Sequence, residues 1–330
     1  MMQRKFITDL DECERLWNTF VRPKNISDLW EFRLCFQRHF NCKPCFLVLE
    51  DEEGIAGMLP LSYLKEPETF VFFPGETWKG KTWIERTPVY LRKQEFLPEL
   101  LLSCPEKTYL RYMEIPEEFL IPALDVDETG YVLYPSNLDF DTTIYRKRFS
   151  NKKFKDINKT IKSLTGVDSS FCLNRLEDFD LLADMNIQSF GSDSYLYDYR
   201  FRESFRDIMH FLHRRGWLRM TSLEINGKTA AVDIGALYQE TYTVFLGGAD
   251  REIPSVAKAI NMYHIESACK EGFLKVDFLC GDFHWKKLWH LDPEPLYKFV
   301  TPALTQKDQF EHALSVNDSI NLISREQSYV

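Results

Sequence analysis

The stretch from 217 to 279 constrains the fold more than any other feature of this chain. An apolar run at 217–225 meets Asn226-Gly227, and a second run at 229–238 returns. Asn-Gly between two apolar runs is the strongest short hairpin signal, because a type I′ turn needs positive φ at both central residues. A third strand at 241–248 ends in Gly247-Gly248, and the loop 249–254 follows. A helix is predicted over 255–271, with Ser255 as its N-cap and Gly272 as its stop. Phe273 opens another strand, which carries Asp277. Strand, loop, helix, strand is a parallel crossover unit, and here it is joined to an antiparallel hairpin. The implied fold class is α/β in the α+β sense: a twisted mixed sheet flanked by helices.

The same order recurs upstream. Leu10, Cys13, Leu16, Trp17 and Phe20 repeat at the 3–4 spacing of an amphipathic helix, and a second helix is predicted around 28–40, after Pro23. Two apolar runs, 46–50 and 55–61, flank an acidic, Gly-terminated turn and read as a hairpin. Further strand candidates lie at 69–73, 108–115 and 130–134. Downstream, helical stretches at 176–190 and 201–215 precede the Asn226-Gly227 hairpin. Leu49-Glu50 and Leu223-Glu224 stand at matching places before their turns, 174 residues apart (223 minus 49). This predicts a tandem duplication of helix-helix-hairpin units. At 330 residues the chain has room for two domains. The expected division is an N-terminal domain over 1–143, a linker helix over 144–164 and a C-terminal domain over 165–330.

Composition narrows the partners. Aromatics at 15% exclude disorder, and 41 Lys+Arg against 50 Asp+Glu give −9, so no global positive field gathers nucleic acid or an anionic membrane. The exception is local. Residues 144–164 hold eight Lys/Arg (146, 147, 148, 152, 153, 155, 159, 162) against Asp156, with Phe154, Ile157, Ile161 and Leu164 at helical spacing. An amphipathic helix with cationic flanks is predicted, either as a solvated linker or facing an anion. No apolar run approaches the roughly 20 residues of a membrane span, and residues 1–14 lack the apolar core of a signal peptide. A cytoplasmic protein with reduced thiols is expected. Cys35, His39, Cys42 and Cys45 fall within eleven residues and could close a zinc site. Cys45 opens a strand, however, and Cys35 and His39 sit in a helical segment, so buried thiols and a turn are expected, and no metal.

Two carboxylates interrupt apolar strands, Asp233 in Ala-Ala-Val-Asp-Ile and Asp277 between Val276 and Phe278. An acid there costs several kcal/mol unless paired or neutralised. Each is a candidate base or one half of an ion pair with Lys286 or Arg219. Residues Glu266 to Phe273, then Asp277 to Gly281 and Trp285-Lys286, together with the strand ending in Gly-Gly and the basic segment before it, resemble the C-terminal half of the FemAB-like acetyltransferases of the GNAT superfamily. The resemblance spans about 140–299. Two positions depart from that pattern: the family's Ser-Pro-Gly before the helix is Ile253-Pro254-Ser255 here, and its Tyr-Lys is Trp285-Lys286.

The resemblance implies tandem GNAT-like domains and an acyl-CoA-dependent N- or O-acyltransferase. Acetyl-CoA or another acyl-CoA would be co-substrate, without a metal. It implies pantetheine along Leu246, Gly247 and Gly248, and diphosphate at Pro254, Ser255, Val256 and Ala257. Asp277 or Asp233 would act as base. Trp285 and Lys286 would face a polar small molecule, sugar or peptide in the cleft between domains. Two alternatives stay open. One is the aminoacyl-tRNA-dependent branch of the fold, in which the basic helix would grip RNA, against which the overall acidity counts. The other is a non-enzymatic GNAT-shaped scaffold whose cofactor loop has decayed at Ser255.

Overall fold

The computed structural model describes residues 2–153, 155, 157, 159, 168–281 and 284–301. Most of the predicted apolar stripe of the basic segment (Phe154, Ile161, Leu164) lies outside these residues, as does Lys162. The chain forms two compact units, one of Met1–Pro23, Phe40–Glu128 and Pro295–Val330, the other of Lys24–His39 and Thr129–Glu294. These units do not follow chain order, whereas the expected division was a single cut around 144–164. The physical reasons are a strand and a helix. Asp292–Val300 pairs antiparallel with Tyr109–Glu114 in the first unit, with Tyr297 opposite Met113 and Phe299 opposite Leu110. Helix Trp30–Phe40 lays Phe36 against Phe201 and Phe205 of the second, at 6.0 and 5.7 Å between ring centroids.

In the first unit, strand Gln3–Ile7 pairs antiparallel with Phe46–Asp51, which returns as Gly54–Leu59. The expected strand over 55–61 breaks at Pro60, and the chain resumes as Leu61–Leu64 in a different sheet. Proline has no N–H to continue a ladder, which makes it a natural place to switch. Helix Leu10–Phe20 starts on Asp9, whose side chain accepts the Glu12 amide at 2.9 Å. It buries Trp17 against Phe46, Phe73 and Tyr90.

The second unit is built from β1 (Ser169–Leu173), α1 (Phe179–Phe190), α2 (Tyr199–Arg215), β2 (Leu218–Ile225), β3 (Lys228–Tyr238), β4 (Thr241–Ala249), α3 (Val256–Glu271) and β5 (Lys275–Cys280). Strands β1 to β4 pair antiparallel in chain order, β5 joins β4 in parallel, and residues 130–133 pair antiparallel with β5. Helix α2 begins on Asp198, whose carboxylate accepts the Arg200 amide at 2.8 Å, and ends at Gly216 with φ 71°. Its last turn carries His213, Arg214 and Arg215 at the negative end of the helix dipole. The core under α3 gathers Leu133, Tyr145, Tyr242, Ile265, Val276 and Trp289.

The duplication is visible in detail. Both halves run strand, helix, helix, hairpin, and both hairpins carry a register shift at the same dipeptide, Leu49/Glu50 in one and Leu223/Glu224 in the other. A bulge at one position in both copies is the mark of a shared backbone plan rather than of shared composition. In the second copy Arg175 pairs with Glu224 at 2.5 Å and Asp178 at 2.7 Å, and the guanidinium holds the Glu224 carboxyl below the usual carboxylate range. Among the described residues no helix is long and apolar enough to cross a membrane.

Candidate functional site

Strands β4 and β5 run side by side only at their starts. Thr241, Tyr242 and Thr243 face Lys275, Val276 and Asp277, and there the parallel ladder stops. Strand β4 continues to Ala249 and β5 to Cys280. From Val244 onward the β4 edge therefore has no ladder partner among the described residues. Directly past the fork β4 is bulged: Ile234 faces Leu246 while Gly235 faces Val244, so Phe245 is the extra residue. A bulge twists the strand and re-aims its peptide groups. One group on this stretch is already used, because the Asn186 amide donates to the Gly247 carbonyl at 2.6 Å, and Ser194 in turn donates to Asn186 Oδ1.

Glycine is required at both positions of the Gly247-Gly248 pair. A Cβ on Gly247 would come within 1.8 Å of Asp233 Oδ1, and one on Gly248 within 2.6 Å of the Leu182 carbonyl of α1. The first contact places the Asp233 carboxylate directly against β4, beside the fork.

Asp233 is held by residues that sequence reasoning missed. His264, on α3 and 1% exposed, places Nε2 2.8 Å from Asp233 Oδ2, and Tyr242 places its hydroxyl 3.2 Å from His264 Nδ1. Burial holds the Tyr242 phenol well above its ordinary range, and the charge of Asp233 adds to this. A protonated phenol fits as donor to Nδ1, which leaves Nε2 to carry the imidazole proton toward Asp233. Oδ2 is thereby engaged and Oδ1 is turned to Gly247. The one available signal was His264 in the buried stripe Val256, Ile260, His264, Ala268 of α3, and nothing in that stripe names its partner.

Asp277 stands at the fork itself, 3% exposed, but its Oδ1 accepts the Leu279 amide at 2.9 Å and its Oδ2 lies 4.0 Å from Lys275 Nζ. Leu279 has φ 59°. The carboxylate therefore braces a left-handed turn at the end of β5. Lys286 is 2% exposed, and its ammonium donates to the carbonyls of Phe278 at 2.9 Å, Leu279 at 3.0 Å and Cys280. Trp285 is half-buried, edge-on to Phe278 at 6.1 Å. Of the groups expected in ion pairs, Arg219 pairs with Glu271, and Asp233 with His264.

Ser255 occupies the N-cap position of α3, but not as expected: its side chain makes no capping bond, and its φ is 68°. That is the left-handed region a glycine enters without penalty, and Ser255 holds it at a steric cost. The first amides of α3, at Val256 and Ala257, are among the orphan donors of any helix start, and the dipole adds positive potential. Replacing Ser255 by Gly is expected to raise stability by about 1 kcal/mol, through relief of backbone strain. A denaturant midpoint that falls instead would show that the strain is absent.

Three of the four candidate zinc ligands have surroundings of their own. His39 pairs with Asp207 at 3.0 Å, Cys42 donates to the Gly75 carbonyl, and burial pushes the Cys35 thiol up to about 12. Among the described residues no group of three or more His, Cys, Asp and Glu is placed to hold a metal.

A forked parallel strand pair, a bulge on the first strand and a helix start beyond it is the arrangement against which comparison is decisive. Residues 151–287 match the family model described as an acetyltransferase (GNAT) domain. This segment is similar to GNAT domains. Solved structures agree on the fold across most of the chain. FemX superposes with TM-score 0.57 at 8% identity, covering 91% of this chain and 97% of FemX. A conserved protein of unknown function from Bacteroides thetaiotaomicron VPI-5482 gives 0.56 at 14% identity, covering 91% and 98%. L-PGS from Bacillus licheniformis gives 0.54 at 10%, covering 93% and 97%. No protein of curated function matches the sequence. The matched segment takes in the fork, α3, both buried carboxylates and Lys286.

Proposed function

We propose that the chain is an acyl-CoA-dependent N- or O-acyltransferase of the cytoplasm, acting on a polar small molecule, sugar or peptide. The observation that carries this reading is the fork. It leaves the β4 edge from Val244 to Ala249 outside the ladder, next to a carboxylate oriented by an imidazole. The residues present fit an acyl-CoA. Leu246, Gly247 and Gly248 offer peptide groups to an extended amide chain, and the α3 start at Pro254, Ser255, Val256 and Ala257 offers amides to a diphosphate. Acyl-CoA, when bound, supplies the activated thioester.

The protein's own part follows from its groups. Asp233 Oδ1 accepts the proton of the attacking amine or hydroxyl, directly or through water, and returns it to the thiolate that leaves as the acyl C–S bond breaks, while His264 holds the carboxylate in place through Oδ2. An amide on the β4 edge stabilises the charge that develops on the acyl oxygen. Asp277 braces the far side of the fork, and Trp285 is the better placed of the Trp285-Lys286 pair to meet an acceptor, being only half-buried.

Thermal denaturation with millimolar acetyl-CoA tests the reading. A rise of about 3 °C or more is expected from binding at this ligand excess. No shift would favour the scaffold. Stabilisation by aminoacyl-tRNA in place of acetyl-CoA would move the reading to the aminoacyl-transfer branch.

A further inference from the structure

Within the second compact unit lies a cleft of about 600 Å³ lined by none of the residues that the acyl-transfer reading assigns, and the inference drawn from it rests on that reading. Its floor is apolar, formed by Tyr131 and Leu291, and its rim carries Arg148, Lys287, His290 and Asp292. Arg148 donates to the His290 carbonyl at 3.3 Å, and among the described residues no carboxylate pairs with its guanidinium. Phe149 packs edge-on against the His290 ring at 4.7 Å and fixes its plane. Lys153 stands close enough to act on His290. The imidazole is pushed below its ordinary range by burial first, then by Lys153 and Arg148. Among the described residues lining the cleft, Arg148 and Lys287 against Asp292 leave an excess of one positive charge (two minus one), and Lys153 adds positive potential at His290.

Such a cluster repels itself, and its stable complement is a compact dianion. We infer that this cleft binds the phosphate group of a phosphorylated small molecule. A phosphate oxygen pair matches the planar fork of Arg148, and a third oxygen is left for Lys287 or the His290 ring. The Tyr131 and Leu291 floor would take the uncharged part of the same molecule. The phosphate belongs either to the acyl acceptor or to the nucleotide end of CoA, and the two sources are separable by experiment.

The test is calorimetric titration of the full chain with pyrophosphate, CoA and dephospho-CoA. The proteins compared are the parent chain, Arg148→Gln, Lys287→Gln and Asp292→Asn, with Lys228→Gln, exposed at the start of β3, as a charge-matched control. Pyrophosphate is expected to bind about tenfold more weakly to each rim Gln variant. Asp292→Asn should bind about threefold more tightly, and Lys228→Gln unchanged. If the rim variants also lose CoA affinity while dephospho-CoA binds as before, the phosphate is the 3′-phosphate of CoA. If CoA is unaffected, it belongs to the acceptor. Absence of pyrophosphate binding to the parent chain, or equal binding to all five proteins, overturns the inference. Pyrophosphate binding without CoA binding would leave the cleft standing and remove the acyl-CoA reading instead.

Discussion

Asp233→Asn is expected to lower acyl transfer by about a hundredfold or more, with acetyl-CoA affinity unchanged. The substitution keeps the shape. An Asn oxygen still accepts the His264 Nε2 proton, so the link to α3 persists and the stability cost should stay near that of one weakened buried hydrogen bond, about 1 kcal/mol. What is lost is the anionic oxygen beside Gly247. His264→Gln serves as the companion variant: 1% exposed, the imidazole cannot touch a substrate, so its loss should act by releasing Asp233 and should change the pH profile of kcat more than KM. Turnover of Asp233→Asn within about threefold of the parent would make the Asp233–His264–Tyr242 chain a packing device and return the search for a base to the fork.

The difference between what the sequence discloses and what it hides follows chain distance. The hairpin at Asn226-Gly227, the strand through Gly247-Gly248 and the helix closed by Gly272 are all written in residues within a few positions of each other, and all three form where expected. Leu49-Glu50 and Leu223-Glu224 mark equivalent bulges, a repeat legible because bulge and turn are both local. Asp233 was legible as an anomaly, a charge among apolar neighbours. Its partner lies 31 residues away on another element, and only the packing of α3 on β3 and β4 unites them. The same holds for the units. Helix Trp30–Phe40 and strand Asp292–Val300 look like ordinary members of their own halves, and their placement is decided by which aromatic ring or ladder receives them. Ser255 is the instructive mixed case. The missing glycine was visible, but its left-handed backbone was not, because a serine in that conformation obeys the surrounding turn rather than its own preference.

Lys286→Met is expected to lower stability by about 3 kcal/mol while activity per folded molecule stays within about threefold of the parent. The resemblance to acyltransferases places this lysine on the acceptor, and its surroundings argue for another task. The ammonium is 2% exposed and donates to three successive carbonyls, those of Phe278, Leu279 and Cys280, with the rings of Tyr131 and Trp285 at 5.5 and 5.7 Å. Three carbonyls can point at one centre only where the chain turns sharply, and it does so here through Leu279 at φ 59° and Gly281 at φ 97°. Methionine matches the stem of lysine and removes only the donor. Each carbonyl left without one costs about 1 kcal/mol, partly offset because a buried charge is removed as well. The turn in question ends β5, the strand whose departure from β4 makes the fork. A loosened turn should therefore appear first as faster amide exchange at 278–281 and a melting point several degrees lower, with KM for the acceptor unchanged. The opposite pattern, full stability with a raised acceptor KM or a collapsed kcat, would mean that the ammonium leaves its carbonyls for the substrate.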